Sequence, residues 1–86
     1  MLEQQIQAAI LKYLKAQGCW VFKVITANRN GIPDIVGCKA GRFFAIEVKR
    51  PGFKPSAIQA AQLQRIKDAG GLALVACCVE DVRKYL

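Results

Sequence analysis

The chain has 86 residues, which allows one domain, and hydrophobic residues make up 53%, enough for a core. It carries 13 Lys and Arg against 6 Asp and Glu, a formal charge of +7, which favours a polyanionic partner. Without histidine it has no imidazole acid–base chemistry and no His metal ligand, and no apolar run reaches the roughly 18 residues of a membrane span.

In chain order, residues 2 to 17 read as an amphipathic helix, because Leu2, Ile6, Ala9, Ile10, Tyr13 and Leu14 recur at helical spacing and Gly18 stops it. Residues 19–26 are aromatic and β-branched and predict a strand. Ala27 to Ile32 form a loop by composition. A strand over 33–38, a tight turn at Ala40-Gly41 and a second strand over 42–50 make a hairpin. Ser56, followed three residues later by Gln59, is a capping box opening a helix over 57–69, and Gly70-Gly71 ends it. Leu72 to Cys78 read as a buried strand without alternation, and 79–86 as a short helix. The fold class is therefore α/β, order α-β-β-β-α-β-α. Short connections make the first three strands an antiparallel meander, and the helical crossover makes the fourth parallel to its neighbour.

The start of the chain has neither the basic nor the apolar region of a signal peptide, so a cytoplasmic protein is expected. Cys19, Cys38, Cys77 and Cys78 lie in apolar, strand-like stretches and include no C-x-x-C pair. They are expected to be reduced, buried small hydrophobes, and their spacing does not suggest zinc.

The unusual polar residues are Asp34, Glu47 and Lys49. Glu47 and Lys49, two apart on a strand, share a face, while Ile46 and Val48 take the other. Asp34, on the preceding strand, falls beside Glu47. Spacing alone fits two arrangements: a solvent-face ion-pair cluster, or two carboxylates that repel each other until a hard divalent cation such as magnesium joins them. Glu3 lies within about 20° of Ile10 and Leu14 on a helical wheel, so a charge sits in the apolar stripe of the first helix; as a first-turn acid it also suits the helix dipole. Asn28, Arg29 and Asn30 precede Pro33-Asp34 in a loop suited to phosphate, and Lys23, Arg50 and Lys54 add sequence-independent attraction for a nucleic-acid backbone.

The ordered set Glu3, Gly31-Ile32-Pro33-Asp34 and Glu47-Val48-Lys49 resembles the PD-(D/E)xK nuclease superfamily. The stretches around NRNGIPDIVG, FFAIEVKRPG, SAIQ and AGG are similar to its VRR-NUC branch, over residues 3 to about 79. The resemblance implies a restriction-endonuclease-like fold with a mixed four-stranded sheet, and a Mg²⁺-dependent DNA endonuclease, with Mn²⁺ as the other cation. It implies that Asp34, Glu47, Glu3 and the Val48 carbonyl bind the metal. Lys49 would activate water and stabilise charge, and Gln59 would complete the signature. Short members of the branch resemble Holliday junction resolvases, which implies a homodimer acting on branched DNA. Tyr13, Trp20, Phe22, Val82, Tyr85 and Leu86 are the apolar residues available for such an interface. The alternative is a non-catalytic basic nucleic-acid-binding module of the same fold. A small structural or toxin-like protein with an ion-pair cluster is a third class.

Overall fold

The computed structural model describes residues Met1–Leu86. Its elements follow the expected order: α1 (Glu3–Ala16), β1 (Trp20–Lys23), β2 (Ile35–Lys39), β3 (Arg42–Val48), α2 (Ala57–Asp68), β4 (Leu72–Ala76) and α3 (Val79–Arg83). The strands form one sheet in the order β1-β2-β3-β4. β1, β2 and β3 pair antiparallel, and β4 pairs parallel with β3, in the register Phe44↔Leu72 through Val48↔Ala76.

Alternation along the strands divides the sheet into two faces. Ile35, Phe44, Ile46, Val48 and Ala76 share one face and pack with Ile6, Ile10 and Leu14 of α1 and Val82 of α3 in a single buried cluster. The opposite face carries Phe43, Ala45 and Glu47, and α2 packs against β3 and β4. Leu63 is the buried side chain of α2. Ala40 and Gly41 both take positive φ, 50° and 80°, as a two-residue hairpin turn requires. Ser56 and Gln59 form the expected capping box.

The strands are shorter than their apolar runs. β1 ends at Lys23 rather than 26 and β3 at Val48 rather than 50, because the chain there leaves the ladder to border an open end of the sheet. β4 does not alternate, as expected: Ala73 and Ala76 are buried on opposite faces, but Val75 near its end is 44% exposed, so the strand is not buried throughout. The expectation that all four cysteines are buried fails for Cys78, which is exposed, and Cys38 and Cys77 are half-buried. Val82 is fully buried under α1 and is not surplus apolar surface.

α1 leads into β1 through a short turn and lies along it, so its N-terminal turn returns to the end of the sheet where β2 begins and β3 and β4 finish. At that end Gly31 has φ +76°, and an added Cβ would lie 2.9 Å from the backbone carbon of Ile58. Gly52 has a similar φ of +87° with nothing within 4 Å. Gly52→Ala is expected to cost about 1 kcal/mol, the strain of left-handed backbone alone. Gly31→Ala should cost about 1–3 kcal/mol more, because loop and helix must separate. Urea denaturation of both variants checks the difference.

Candidate functional site

Pro33 and Asp34 mark the point where β2 leaves β3. Proline cannot donate to a ladder, and the antiparallel register starts only at Ile35↔Ile46. The Val48 N–H is instead taken by the Asp34 side chain, Oδ2 accepting at 2.8 Å. On its other side Asp34 accepts from the Val24 N–H through its backbone carbonyl, also at 2.8 Å. Asp34 is thus clasped between β3 and the end of β1, with one carboxylate oxygen uncommitted to Val48.

Glu47 projects from the same face of the sheet and is only 2% exposed. Its Oε2 is 3.5 Å from the Lys49 ammonium, whose side chain is 17% exposed. Its Oε1 is buried and has no hydrogen-bond partner. Burial, and next the charge of Asp34, push the Glu47 carboxyl from 4.5 up to about 7, against the opposing pull of Lys49. The cluster is therefore built around a buried Glu47 flanked by half-buried Asp34 and Lys49, not the solvent-face ion pairs that spacing alone allowed. An isolated Glu–Lys pair would satisfy both oxygens; here one lone acceptor faces no donor, an arrangement that costs about 1–3 kcal/mol.

The remaining sequence-derived residues fall as follows. Glu3 is the first helical residue of α1, half-buried, at the same end of the sheet. Gln59 has its side-chain oxygen committed to the helix cap, accepting from Ser56 N–H at 2.9 Å. Arg29, Asn30 and Asp34 line a shallow groove of about 280 Å³ with Val24, Thr26 and Pro33. That loop is held against α2 by Gln62 Nε2, which donates to the Asn30 carbonyl at 3.2 Å. Asn28, Lys23, Arg50 and Lys54 are exposed, and the Arg50 guanidinium stacks 4.6 Å above the Phe53 ring. A larger cavity, about 330 Å³, lies at the opposite end of the sheet among Lys39, Phe43 and Tyr85 and has no acid in its lining.

Sequence reasoning missed Gln7. It lies one helical turn after Glu3, is 7% exposed, and its side-chain oxygen is buried without a partner. Gln7 and Glu47 hold the two partnerless buried side-chain oxygens of the protein. The i, i+4 spacing from Glu3 was the available signal.

No family model and no curated protein matches the chain. Solved structures do. One described as "VRR_NUC domain" superposes with a TM-score of 0.82 at 26% identity, covering 95% of this chain and 90% of that one. A second, "VRR_NUC domain protein", gives 0.82 at 19% identity, covering 98% and 84%. The fold is thus that of a small nuclease-type α/β domain with a mixed four-stranded sheet. In fold the chain is similar to these VRR-NUC domains over nearly its whole length.

Two stability measurements follow. A carboxyl raised from 4.5 to about 7 in the fold favours the protonated native state, so its stability contribution is whole below about 4.5 and is lost as pH rises through about 7. Metal-free protein should lose on the order of 3 kcal/mol across that window, and Glu47→Gln should flatten the profile. Thermal melts in chelator across pH check it. Gln7→Met, which removes the partnerless oxygen at similar volume, should raise metal-free stability by about 1 kcal/mol in urea denaturation.

Proposed function

We propose that the protein is a divalent-metal-dependent DNA endonuclease whose active site is the Asp34–Glu47–Lys49 cluster. The observation that carries this reading is the Glu47 carboxylate, buried against Asp34 with one oxygen lacking any donor. A hard cation fits that environment. It would neutralise the repulsion between the two carboxylates and give the orphan oxygen a partner. Asp34, Glu47, Glu3 and the Val48 carbonyl form an all-oxygen donor set, which suits Mg²⁺ or Mn²⁺ rather than a thiophilic ion. When bound, the ion supplies Lewis-acid polarisation of a phosphodiester and acidifies an associated water.

The chain's own residues do the rest. Asp34, anchored through Val48 N–H and Val24 N–H, fixes the angle of its free oxygen. Lys49 is cationic and has no lone pair for a metal, so it donates instead to water or to the charge developing on phosphate. Arg29, Asn28 and Asn30 beside the groove, with Lys23, Arg50 and Lys54 around it, hold the backbone of the substrate. Gln59 steadies the start of α2 over the loop through its cap, a positioning role. No covalent nucleophile is required.

The proposed working unit is a homodimer on branched DNA. Trp20 and Phe22 are 70% and 45% exposed on the edge strand β1, and their rings meet edge to face at 5.3 Å. An isologous contact there would cover unpaired strand edge and aromatic surface together.

The test is cleavage of linear and branched DNA with and without Mg²⁺. Wild type should cut only with the metal. Asp34→Asn and Glu47→Gln should each lose at least about a hundredfold in rate while staying folded. Lys49→Ala should lose comparable activity yet still bind Mg²⁺ by calorimetry. Retained cleavage in either carboxylate variant defeats the assignment. A wild type that binds DNA but cuts nothing with any divalent ion would make the chain a binding module instead.

A further inference from the structure

A second group of ligating side chains lies outside the acidic cluster. Cys77, Cys78 and Asp81 bring their ligand atoms within 4.8 Å of one another where β4 passes into α3. We propose that they form a chelating site for one thiophilic divalent cation of the zinc class. Two thiolates and a carboxylate are the protein ligands, and water takes the fourth position.

The site is organised before any ion arrives. Asp81 Oδ2 accepts from the Cys77 N–H at 3.0 Å and from the Cys77 thiol at 3.3 Å. These bonds fix the carboxylate against the Cys77 sulfur, with the Cys78 sulfur within 4.8 Å. The three ligands come from five consecutive residues, so no long loop has to close around the ion. Tetrahedral zinc, with bonds of about 2.3 Å to sulfur and about 2.1 Å to oxygen, needs ligand atoms roughly 3.5 Å apart. Small side-chain rotations within this group reach that spacing.

Donor chemistry sets the site apart from the Asp34–Glu47 cluster. Two sulfurs favour a soft or borderline cation, whereas the all-oxygen cluster favours a hard one. Access is open, because Cys78 is exposed and Cys77 and Asp81 are half-buried. Cys19 is buried and Cys38 lies in β2, both outside the group. On binding, each thiol gives its proton to solvent, including the one Cys77 directs at Asp81, and the two thiolates and the carboxylate ligate the ion. The Cys78 side chain makes no cap hydrogen bond to α3, so its sulfur is free to turn to a cation. Ala76, just before the group, accepts from the Lys49 N–H at 3.0 Å, so the site sits one strand away from the acidic cluster.

The experiment titrates the reduced full chain with Zn²⁺ against a chromophoric chelator, and with Cd²⁺ or Co²⁺ while following the thiolate charge-transfer band. The expected result is one equivalent bound with a thiolate band that excess Mg²⁺ does not remove. Cys78→Ser and Asp81→Asn should each weaken binding by roughly tenfold or more. Cys38→Ser and Glu47→Gln should leave it unchanged. Cys78 is exposed and caps nothing through its side chain, so the serine variant keeps the fold, and circular dichroism verifies this. The proposal is overturned by the absence of a thiolate band, by an affinity and band intensity unchanged in Cys78→Ser, or by a band lost in Cys38→Ser. Displacement by Mg²⁺, or loss of binding in Glu47→Gln, places the ion at the acidic cluster and overturns it equally. Glu47→Gln cleavage and this titration are independent, so either reading can fail alone.

Discussion

The bond from the Val48 N–H to the Asp34 carboxylate, 2.8 Å long, is the contact on which the candidate site depends. It stands where the β2–β3 ladder stops, so a side chain takes over satisfaction of a backbone donor. That substitution brings a second acid beside Glu47 in a setting with little water. Without it the two strands would separate at Pro33 and each acid could turn to solvent. Sheet geometry, loop conformation and charge at this end are therefore coupled through one carboxylate. The loop is held in turn by Gly31, whose missing side chain lets it lie on Ile58 of α2.

Opposed electrostatic effects meet at Glu47. Desolvation and the Asp34 charge favour its neutral form, while Lys49 favours its charged form, and the first two prevail. A structural ion pair would be arranged the other way, with the cation close enough to dominate. Here Lys49 stays 3.5 Å from one oxygen, and the other oxygen has no partner. Arg29, Arg50 and Lys54 lie in the surrounding loops, from which, under the proposed function, they would attract a polyanion at longer range. The positive charge and the carboxylate repulsion thus occupy different parts of the same sheet end.

Much of the fold was legible because local and global signals agree. The helical stripe of Ile6, Ile10 and Leu14, the Ala40-Gly41 turn and the Ser56–Gln59 cap each follow from one local rule, and the structure uses all three. The shared face of Glu47 and Lys49 followed from strand alternation alone. Strand ends were less legible. Val24, Ile25 and Thr26 have strand composition, yet they border the groove, where a tertiary opening overrides propensity. Gln7 read as an ordinary polar helix residue, since its burial depends on how α1 lies on the sheet. The Cys77–Cys78–Asp81 group was invisible to a search for paired-cysteine spacings, because it is made by a strand-to-helix bend. Gln59 matched a signature position, and the structure gives its oxygen a capping role.

The central claim is that Asp34 and Glu47 together hold a hard divalent cation. Anomalous diffraction from crystals grown with Mn²⁺ tests it most directly. The account predicts an anomalous peak ligated by carboxylate oxygens of Asp34 and Glu47, with the Lys49 ammonium outside the ligand shell. A Mn²⁺-saturated crystal with no peak there, and Lys49 closed onto both oxygens of Glu47, would contradict it.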